Sequence, residues 1–344
     1  MISLYKHPVY AILKGTYKKE LLRLIVLERK PSIRLRSYEL LNLHLPPSHP
    51  ISSALLDEIS LLHSGNFGEQ RVDHAIQHFS SNSFLIFQNA VFPFSGETIQ
   101  IDHLCLTPFF ALIIETKNMK GHLKLNKESG QMYREKDGKV QCFLHPVLQV
   151  ERQQEGLEYL FTGIGCTLPI YKLVVFTHPE VFLQAEGTHP LLPPEICRFE
   201  QLTVRVRSLL REHNKSHLKE CDLQELSQTL LNNMIPDRFY DVMKRFGLSQ
   251  SDLASGVWCN ECKQLSMKWL SLRWRCTLCK RTDNNAYKRS IEAYFRFISP
   301  ALTNKEARQF LGVDSPDTMR RHLHSMNLKT VGNCRSRKYL SPFH

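Results

Sequence analysis

Two acidic residues and a lysine, Asp102, Glu115 and Lys117, lie close together in an otherwise apolar stretch of the chain. Mg²⁺ is usually held by one or two carboxylates while it keeps waters for a phosphate substrate. A lysine beside such an ion could orient or activate a water and offset the negative charge of the transition state. These residue types therefore predict a Mg²⁺ or Mn²⁺ site that hydrolyses phosphodiester bonds.

Two predicted strands, Thr98–Leu106 and Phe109–Lys117, must bring these side chains together across a tight turn. If the turn centres on Pro108-Phe109, opposed residues have numbers that sum to 217, and Asp102 lies across from Glu115. Facing residues have Cβ atoms about 5 Å apart, so a cation should sit between the two carboxylates. Alternation along the strand places the lysine on the same face as the glutamate.

The alternative is a solvated surface on which an Asp, a Glu and a Lys of edge strands merely pair with one another. Two flanking segments favour the catalytic interpretation. Upstream, Gly68-Glu69-Gln70-Arg71-Val72 opens a helix, and downstream His145-Pro146-Val147-Leu148-Gln149 opens another.

Four motifs, in order within about residues 65–176, resemble the NERD family (nuclease-related domain), a branch of the restriction-endonuclease-like PD-(D/E)-x-K superfamily. They are Gly68-Glu69-x-x-Val72, Gln100-Ile101-Asp102, Ile114-Glu115-Thr116-Lys117 and Pro146-x-x-Gln149. Two positions depart from the superfamily pattern. Ile101 stands where the superfamily has a proline, and His103 stands where a small or hydroxyl residue is more usual.

The resemblance implies a nuclease with a restriction-endonuclease-like mixed sheet flanked by helices. It implies that Asp102 and Glu115 are the metal ligands and that Lys117 is the catalytic lysine. Gln149 would be a supporting polar residue on the following helix. Glu69 would be an additional acid near the metal.

A second metal site is predicted from the pattern Cys-x2-Cys-x13-Cys-x2-Cys, formed by Cys259, Cys262, Cys276 and Cys279. Two Cys-x-x-Cys units complete a tetrahedral Zn²⁺ shell that has no open position. Two redox dithiols are the alternative, but the accompanying βαβ pattern is missing. We therefore predict a structural zinc ribbon, with Trp269, Leu272 and Trp274 as its buried large side chains.

A helix-turn-helix-like module is predicted near the C-terminus. Thr303 or Asn304 caps a first helix, Gly312 ends it, and Pro316 lies in the first turn of a second helix. The second helix would read a DNA groove. Helix pairs of this length also occur in domains that bind no DNA.

Basic side chains of this module are the candidate nucleic-acid contacts. The second helix places apolar residues inside and its basic residues, His322 included, outward, and a turn at Gly332-Asn333 forms a basic wing. The candidate contacts are Arg320, Arg321, Arg335, Arg337 and Lys338.

The charge balance agrees with a polyanionic partner. The 344 residues include 45 Lys and Arg against 33 Asp and Glu, which gives a net charge of +12. Such an excess favours nucleic acid first and an anionic membrane second. No segment supplies the ~20 mostly apolar residues of a membrane span. We expect no membrane association and no organic cofactor, and we favour DNA over RNA.

The cysteines and the N-terminus indicate the compartment. The start of the chain lacks the layout of a secretory signal, and the six cysteines outside the zinc pattern are scattered among apolar residues. Such usage indicates buried thiols and metal ligands in a reducing, cytoplasmic setting.

Four consecutive segments are expected. They are a basic helical region at 1–64, a nuclease-like domain at 65–236, a zinc ribbon at 255–284 and the helix-turn-helix-like module at 288–344. In the first segment, Leu21 to Leu27 give a helix-like apolar stripe, and a short helix is predicted over Ser52–His63. We interpret this segment as packed on the next domain rather than as an arm that tracks phosphates.

Apolar patterning in the second segment predicts a mixed α/β fold. The predicted elements are a helix Gly68–Phe79, strands Phe84–Gln88, Thr98–Leu106 and Phe109–Lys117, a hairpin between Lys124 and Phe143, a helix Val147–Phe161, a strand Tyr171–Phe176 and helices near Gln201–Glu212 and Leu223–Leu231.

Three interpretations of the whole chain follow. The favoured one is a metal-dependent DNA nuclease; the alternatives are a catalytically inactive nucleic-acid-binding scaffold and a regulator led by its helix-turn-helix.

Overall fold

The computed structural model describes residues 25–79, 83–136, 138–187, 191–235, 240–333 and 336–343. The chain divides into two compact units. Within these ranges, the first unit contains the residues up to Lys30 and those of Ser64–Pro236, and the second contains Pro31–His63 and those from Asp237 onward. Each unit therefore combines two stretches of chain, whereas the segments expected from the sequence are consecutive.

The first unit contains most of the strands, six of them in succession, and the second is richer in helix. The strands are β1 (Ile25–Leu27), β2 (Leu85–Phe94), β3 (Glu97–Leu106), β4 (Ala111–Lys117), β5 (Gly121–Asn126), β6 (Gln131–Lys136), β7 (Lys139–Leu144), β8 (Ile170–Phe176), β9 (Val181–Ala185), β10 (Ile196–Arg198), β11 (Val257–Cys259), β12 (Gln264–Leu270), β13 (Arg273–Cys276), β14 (Ala301–Thr303), β15 (Thr330–Val331) and β16 (Lys338–Leu340). The helices are α1 (Ile33–His44), α2 (Ser52–Ile76), α3 (Pro146–Gly163), α4 (Phe199–Glu212), α5 (Glu220–Asn233), α6 (Val242–Phe246), α7 (Ala286–Phe297), α8 (Asn304–Leu311) and α9 (Pro316–His324).

A six-stranded mixed sheet forms the centre of the first unit, in the order β1-β2-β3-β4-β8-β10. Strands β2, β3 and β4 pair antiparallel, whereas β1, β8 and β10 join in parallel. A second sheet has the order β7-β6-β5-β9 and contains the predicted hairpin. The first unit is thus a mixed α/β fold, as predicted.

Strand β4 is buried on both faces, because the side chains of a strand point alternately to its two sides. Ala111 and Ile113 enter a core cluster with the apolar side of α3. Leu112 and Ile114 enter another cluster, which contains Val72 of α2. Burial on both faces explains the unbroken apolar run of this strand. Glu115 follows this apolar run, and its buried carboxylate needs a hydrogen-bonding or charged partner.

Helix α2 is one continuous helix of 25 residues, so the prediction of two helices separated near Gly65 was wrong. Gly68 is present for close packing rather than as a helix break. A Cβ at this position would lie 2.6 Å from the Cβ of Asn118 and 2.7 Å from Oγ1 of Thr177. A glycine is needed where another segment approaches the backbone this closely.

The predicted helical character of the N-terminal stripe was also wrong where the structure describes it. Ile25 and Leu27 belong to β1, which pairs in parallel with the buried strand β2. The β-branched pair Ile25-Val26 suits a strand, and partners distant in the sequence override the local apolar spacing. The rest of the stripe, up to Leu24, lies outside the described residues.

In the second unit, the cysteine-bearing ribbon and the C-terminal helices share one apolar core. The ribbon is the antiparallel sheet β11-β12-β13. Its Val257 and Trp274 are fully buried in the same cluster as Ile291 of α7, Leu311 of α8 and Leu323 of α9. The ribbon is therefore part of the fold of this unit.

Two predicted orientations in this unit were wrong. Leu272 is 76% exposed, because it lies in the turn between β12 and β13 with a φ of 63°. His322 turns inward, and its ring lies 4.5 Å from the rings of Trp269 and Tyr287. Within the described ranges, no helix is both long enough and apolar enough to cross a bilayer.

Candidate active site and zinc site

The ladder between β3 and β4 sets the spacing of the acidic residues. Its paired residues have numbers that sum to 217, as predicted: Leu106↔Ala111, Cys105↔Leu112, Leu104↔Ile113 and His103↔Ile114. Asp102 and Glu115 are the next residues along β3 and β4 beyond the last of these pairs. The carboxylate of Asp102 also reaches β4, because its Oδ2 accepts a hydrogen bond of 2.9 Å from the backbone N–H of Thr116.

Both carboxylates are buried, with Asp102 only 7% and Glu115 only 3% exposed. Burial raises the pKa of Asp102 well above its ordinary value, and the negative charges of Glu115 and Glu69 raise it further. Desolvation and like charges both disfavour the ionised form of a carboxyl group. A cation bound between these residues would reverse both effects.

Lys117 lies on the same face of β4 as Glu115, as alternation predicted. Its Nζ donates a hydrogen bond of 2.7 Å to Glu115 Oε1 and one of 2.8 Å to Gln149 Oε1. Sequence reasoning missed Gln153, whose Nε2 donates to Glu115 Oε2 at 2.8 Å and to the backbone oxygen of Gln100 at 2.8 Å. The available signal was its position four residues after Gln149, on the same face of α3.

The helix next to the strands contributes further acids. Glu69 forms an ion pair with Arg29. Asp73 pairs with the same arginine at 2.9 Å and lies 2.7 Å from Nε2 of the buried His103. Sequence reasoning missed Arg29 and Asp73. The position of Asp73, one helical turn after Glu69, was the only local signal.

Burial and charge act in opposite directions on these two acids. Burial raises the pKa of Glu69, although the positive charge of Arg29 opposes the shift. For Asp73, the hydrogen bonds from His103 and Arg29 outweigh burial and lower the pKa. Asp73 is thus held as a carboxylate, whereas Glu69 and Asp102 are destabilised in their charged forms.

The donor set of this cluster fits a divalent cation. Glu69, Asp102 and Glu115 offer carboxylate oxygens, and two of these acids already pair with a cation, Glu69 with Arg29 and Glu115 with Lys117. Oxygen donors are the ligands of Mg²⁺ and Mn²⁺. Among the described residues, however, Glu69, Asp102 and Glu115 do not form a group whose ligand atoms all lie within 4.8 Å of one another.

The four cysteines do form such a group. Their Sγ atoms lie within 4.8 Å of one another, with 3.7 Å between Cys259 and Cys279 and 3.6 Å between Cys262 and Cys276. Tetrahedral thiolates at a Zn–S distance of about 2.3 Å would be about 3.8 Å apart. The cluster is therefore compatible with the predicted structural zinc.

Hydrogen bonds favour a thiolate at one of these positions. Burial would raise the pKa of Cys276, but hydrogen bonds from Ser266 and from the backbone N–H groups of Cys279 and Leu278 lower it to about 6. A deprotonated sulfur is the form that binds a metal ion.

The C-terminal module contains two short helices joined by a tight turn, as predicted. Thr303 caps α8 through a capping box with Glu306, and Gly312 ends the helix in the left-handed conformation. Ser315 caps α9, with Pro316 in its first turn. Strands β14, β16 and β15 form a small sheet next to these helices, and the hairpin β15–β16 lies where a wing was predicted.

The candidate nucleic-acid contacts of this module are exposed where the structure describes them. Arg320 and Arg321 lie on the outer side of α9, and Arg337 and Lys338 lie at the start of β16. The guanidinium of Arg320 pairs with Asp317 at 2.9 Å. Arg335 lies outside the described residues.

Comparison with known proteins identifies the segment that carries the acidic cluster. Residues 64–177 match the family model of NERD, the nuclease-related domain. This match confirms the resemblance predicted from the four motifs. The chain is also similar to an uncharacterized protein of Bacillus anthracis, with 22% identity over 182 residues, or 53% of this chain and 81% of that protein. No solved structure matches the chain at a meaningful level of similarity.

Proposed function

We propose that this chain, which contains a nuclease-related domain, is a metal-dependent nuclease that hydrolyses phosphodiester bonds of DNA. One observation carries the proposal. Two buried carboxylates, Asp102 and Glu115, lie on adjacent strands with the ammonium group of Lys117 2.7 Å from the second. Asp102, Glu115 and Lys117 each have a role in the expected chemistry, and all three residues lie within the matched segment.

Asp102 and Glu115 would hold a Mg²⁺ or Mn²⁺ ion, and Glu69 would add negative charge from the adjacent helix. When bound, the ion would polarise the phosphate and stabilise the charge that develops on it. The hydrogen bond from Thr116 N–H fixes one oxygen of Asp102, and Gln153 fixes one oxygen of Glu115. These contacts orient the carboxylates before any substrate arrives.

Lys117 has one N–H left for the substrate. An ammonium group has three donors, and two of them are used by Glu115 and Gln149. The side chain is 25% exposed, so the third donor can reach a phosphate oxygen or the attacking water. Gln149 takes part in no proton transfer in this scheme. It accepts the hydrogen bond that orients Lys117.

Duplex DNA is the polymer that the helix-turn-helix suits. The major groove of B-form DNA admits an α-helix, whereas the major groove of A-form RNA is too deep and narrow for side chains to read. Exposed Arg320 and Arg321 on α9, and Arg337 and Lys338 on the hairpin, would contact the backbone or the bases. Zinc would stabilise this unit without taking part in the chemistry.

A catalytically inactive nucleic-acid-binding scaffold is the second candidate. The specific observation in its favour is that protein groups already bind the carboxylates. Arg29 pairs with Glu69, and Lys117 and Gln153 donate hydrogen bonds to the two oxygens of Glu115. Such a protein would bind DNA but would never cleave it.

A cleavage assay with matched variants decides between the two. The zinc-loaded full chain is incubated with plasmid, linear duplex and single-stranded DNA over a titration of Mg²⁺ or Mn²⁺. We expect Glu115→Gln and Lys117→Met to lower the rate by about 100-fold or more. Glu158→Gln, an exposed change on α3, should not alter it. DNA binding without nicking at any metal concentration would favour the scaffold.

A further inference from the structure

An arginine from outside the matched segment reaches the acidic cluster. Arg29 follows β1, and its backbone N–H donates a hydrogen bond of 2.8 Å to Oε1 of Gln88. Gln88 is 3% exposed and lies on β2 opposite His103. The pairing of β1 with β2 and this hydrogen bond fix the position of the arginine, whose side chain is only 9% exposed.

The guanidinium of Arg29 directs its donors to the protein. Nη1 contacts Glu69, and Nε donates to Asp73 Oδ2 at 2.9 Å. Nη2 lies 3.3 Å from Asp73 Oδ1, 3.2 Å from the backbone oxygen of Asp102 and 3.1 Å from Nε2 of His103. A side chain that is buried and engaged in this way does not serve as a phosphate-binding arginine.

These hydrogen bonds join two of the three elements that carry the acids, the helix α2 and the strand β3. Glu69 and Asp73 are four residues apart on α2, so they share one face of the helix. Asp102 lies on β3, and the arginine donates to its main chain rather than to its carboxylate. The guanidinium thus ties the helix to the strand directly behind the proposed metal ligand.

Lysine would not reproduce this geometry. The planar guanidinium presents five donors in a fixed fork, whereas an ammonium is a compact point charge. Among the described residues, Arg29 pairs with Glu69 and Asp73, whereas Lys117 pairs with Glu115. A lysine at position 29 would keep the charge balance and lose the fork.

We propose that Arg29 is a positioning residue of the metal site: it fixes the main chain of Asp102 and the side chain of Glu69 in the arrangement that binds the divalent ion. The inference rests on the proposed function, because it assumes that Asp102 and Glu115 hold a metal. It adds that the metal site depends on Arg29, which follows β1 and lies outside the matched segment 64–177.

The test is a titration of the zinc-loaded full chain with Mn²⁺, in which electron paramagnetic resonance measures the free ion. Arg29→Lys keeps the positive charge but removes hydrogen bonds of the guanidinium. We expect this variant to weaken Mn²⁺ binding by about tenfold, the usual effect of removing a hydrogen bond that orients a metal ligand. The matched control is Arg71→Lys. Arg71 lies on α2, the helix that carries Glu69 and Asp73, and it contacts the backbone oxygen of Thr177 and the ring of Phe199. The control should therefore bind Mn²⁺ as the wild type does.

A second variant guards against a folding defect in Arg29→Lys. Asp73→Asn removes a charge that holds the guanidinium, although Asp73 is not a proposed metal ligand. We expect it to weaken Mn²⁺ binding as well, and the double variant should bind little worse than Arg29→Lys, because both changes act through one hydrogen-bond network. Circular dichroism and urea unfolding without Mn²⁺ establish that each variant is folded.

The outcomes separate this inference from the proposed function. Wild-type Mn²⁺ affinity in Arg29→Lys and Asp73→Asn, together with weakened binding in Glu115→Gln, would overturn the positioning role and leave the metal site intact. Unchanged binding in Glu115→Gln would overturn the metal site itself, and the inference with it. Equal losses in Arg29→Lys and Arg71→Lys would show a general structural effect and would also overturn the inference.

Discussion

Gln153 Nε2 lies 2.8 Å from Glu115 Oε2, on the carboxylate oxygen that Lys117 does not contact. The same amide nitrogen donates to the backbone oxygen of Gln100. Glu115 is therefore held from both sides, by a residue of its own strand and by a residue of α3. Its orientation depends on the packing of this helix against the sheet.

We predict that Gln153→Leu lowers cleavage activity by about tenfold or more through kcat, with KM for DNA little changed, because it frees an oxygen of Glu115. Gln154→Leu is the matched control, since its partners Glu158 and Lys172 lie outside the cluster. Steady-state kinetics on a duplex substrate gives both constants. An equal loss of kcat in both variants would contradict the role of Gln153.

Packing at Gly68 gives a prediction on stability. Gly68→Ala should destabilise the protein by about 1–3 kcal/mol, because the new Cβ overlaps Asn118 and Thr177. Gly65→Ala, in the same helix, has nothing within 4 Å of its Cβ and should stabilise the helix by about 0.5–1 kcal/mol. Urea denaturation followed by circular dichroism measures both. If the two variants shifted the unfolding midpoint in the same direction, the close approach would be irrelevant.

Zinc removal should unfold the second unit as a whole. The three tryptophans of the chain, Trp258, Trp269 and Trp274, lie in or beside the ribbon, so tryptophan fluorescence reports on this unit. Because the ribbon shares its core with α7, α8 and α9, we expect a chelator or Cys276→Ser to abolish both the native fluorescence and hydrogen-exchange protection in α9.

The matched control for this prediction is Cys142→Ser, which changes an exposed cysteine of the first unit. It should leave the fluorescence and the zinc content as they are. Retention of native protection in α9 after complete zinc loss would contradict the shared core.

A pH dependence follows from His44, which is fully buried in the second unit. Burial lowers its pKa, although the hydrogen bond of 2.8 Å between its Nδ1 and the backbone oxygen of Ala254 opposes the shift. The neutral ring is thus favoured in the folded state. The stability it contributes is present above the unfolded pKa of about 6.5 and is lost as the pH falls through the lower folded pKa.

We expect urea unfolding of the zinc-saturated protein, followed by tryptophan fluorescence, to show decreasing stability below about pH 6.5. His44→Gln should flatten this dependence. His324→Gln, which changes an exposed histidine of α9, should leave it parallel to that of the wild type. Identical slopes in His44→Gln and the wild type would exclude His44 as the titrating group.

DNA affinity should depend on the exposed basic residues of α9 and the hairpin. We predict that Arg320→Gln with Arg321→Gln weakens binding and reduces the dependence of log Kd on log salt by about one for each phosphate that the protein no longer neutralises. Arg337→Gln with Lys338→Gln should act in the same direction. Arg207→Gln, an exposed change on α4, is the control for net charge. Fluorescence anisotropy at several salt concentrations measures the slopes.

The register of the acidic strands was predictable because the determinants are local. A turn of four residues from Thr107 to Phe110 fixes the pairing of β3 with β4, and alternation then places Lys117 beside Glu115. Arg29 was not predictable, because its partners Glu69 and Asp102 lie 40 and 73 residues away. No spacing rule connects residues that meet only through sheet pairing.

The same limit explains the inward ring of His322. An amphipathic pattern describes one helix and its own apolar side, and on that pattern His322 belongs with the polar residues. The aromatic rings that surround it come from the ribbon and from α7. The sequence of α9 contains no information about these neighbours.

The shared core of the second unit has a consequence for any attempt to take this protein apart. Cutting the chain between the cysteine pattern and α7 would leave Trp274 on one piece and Ile291 and Leu323 on the other, each facing water. Neither fragment would be a usable module, and both would tend to aggregate. Grafting α9 onto another protein would therefore require transplanting the cysteines with it.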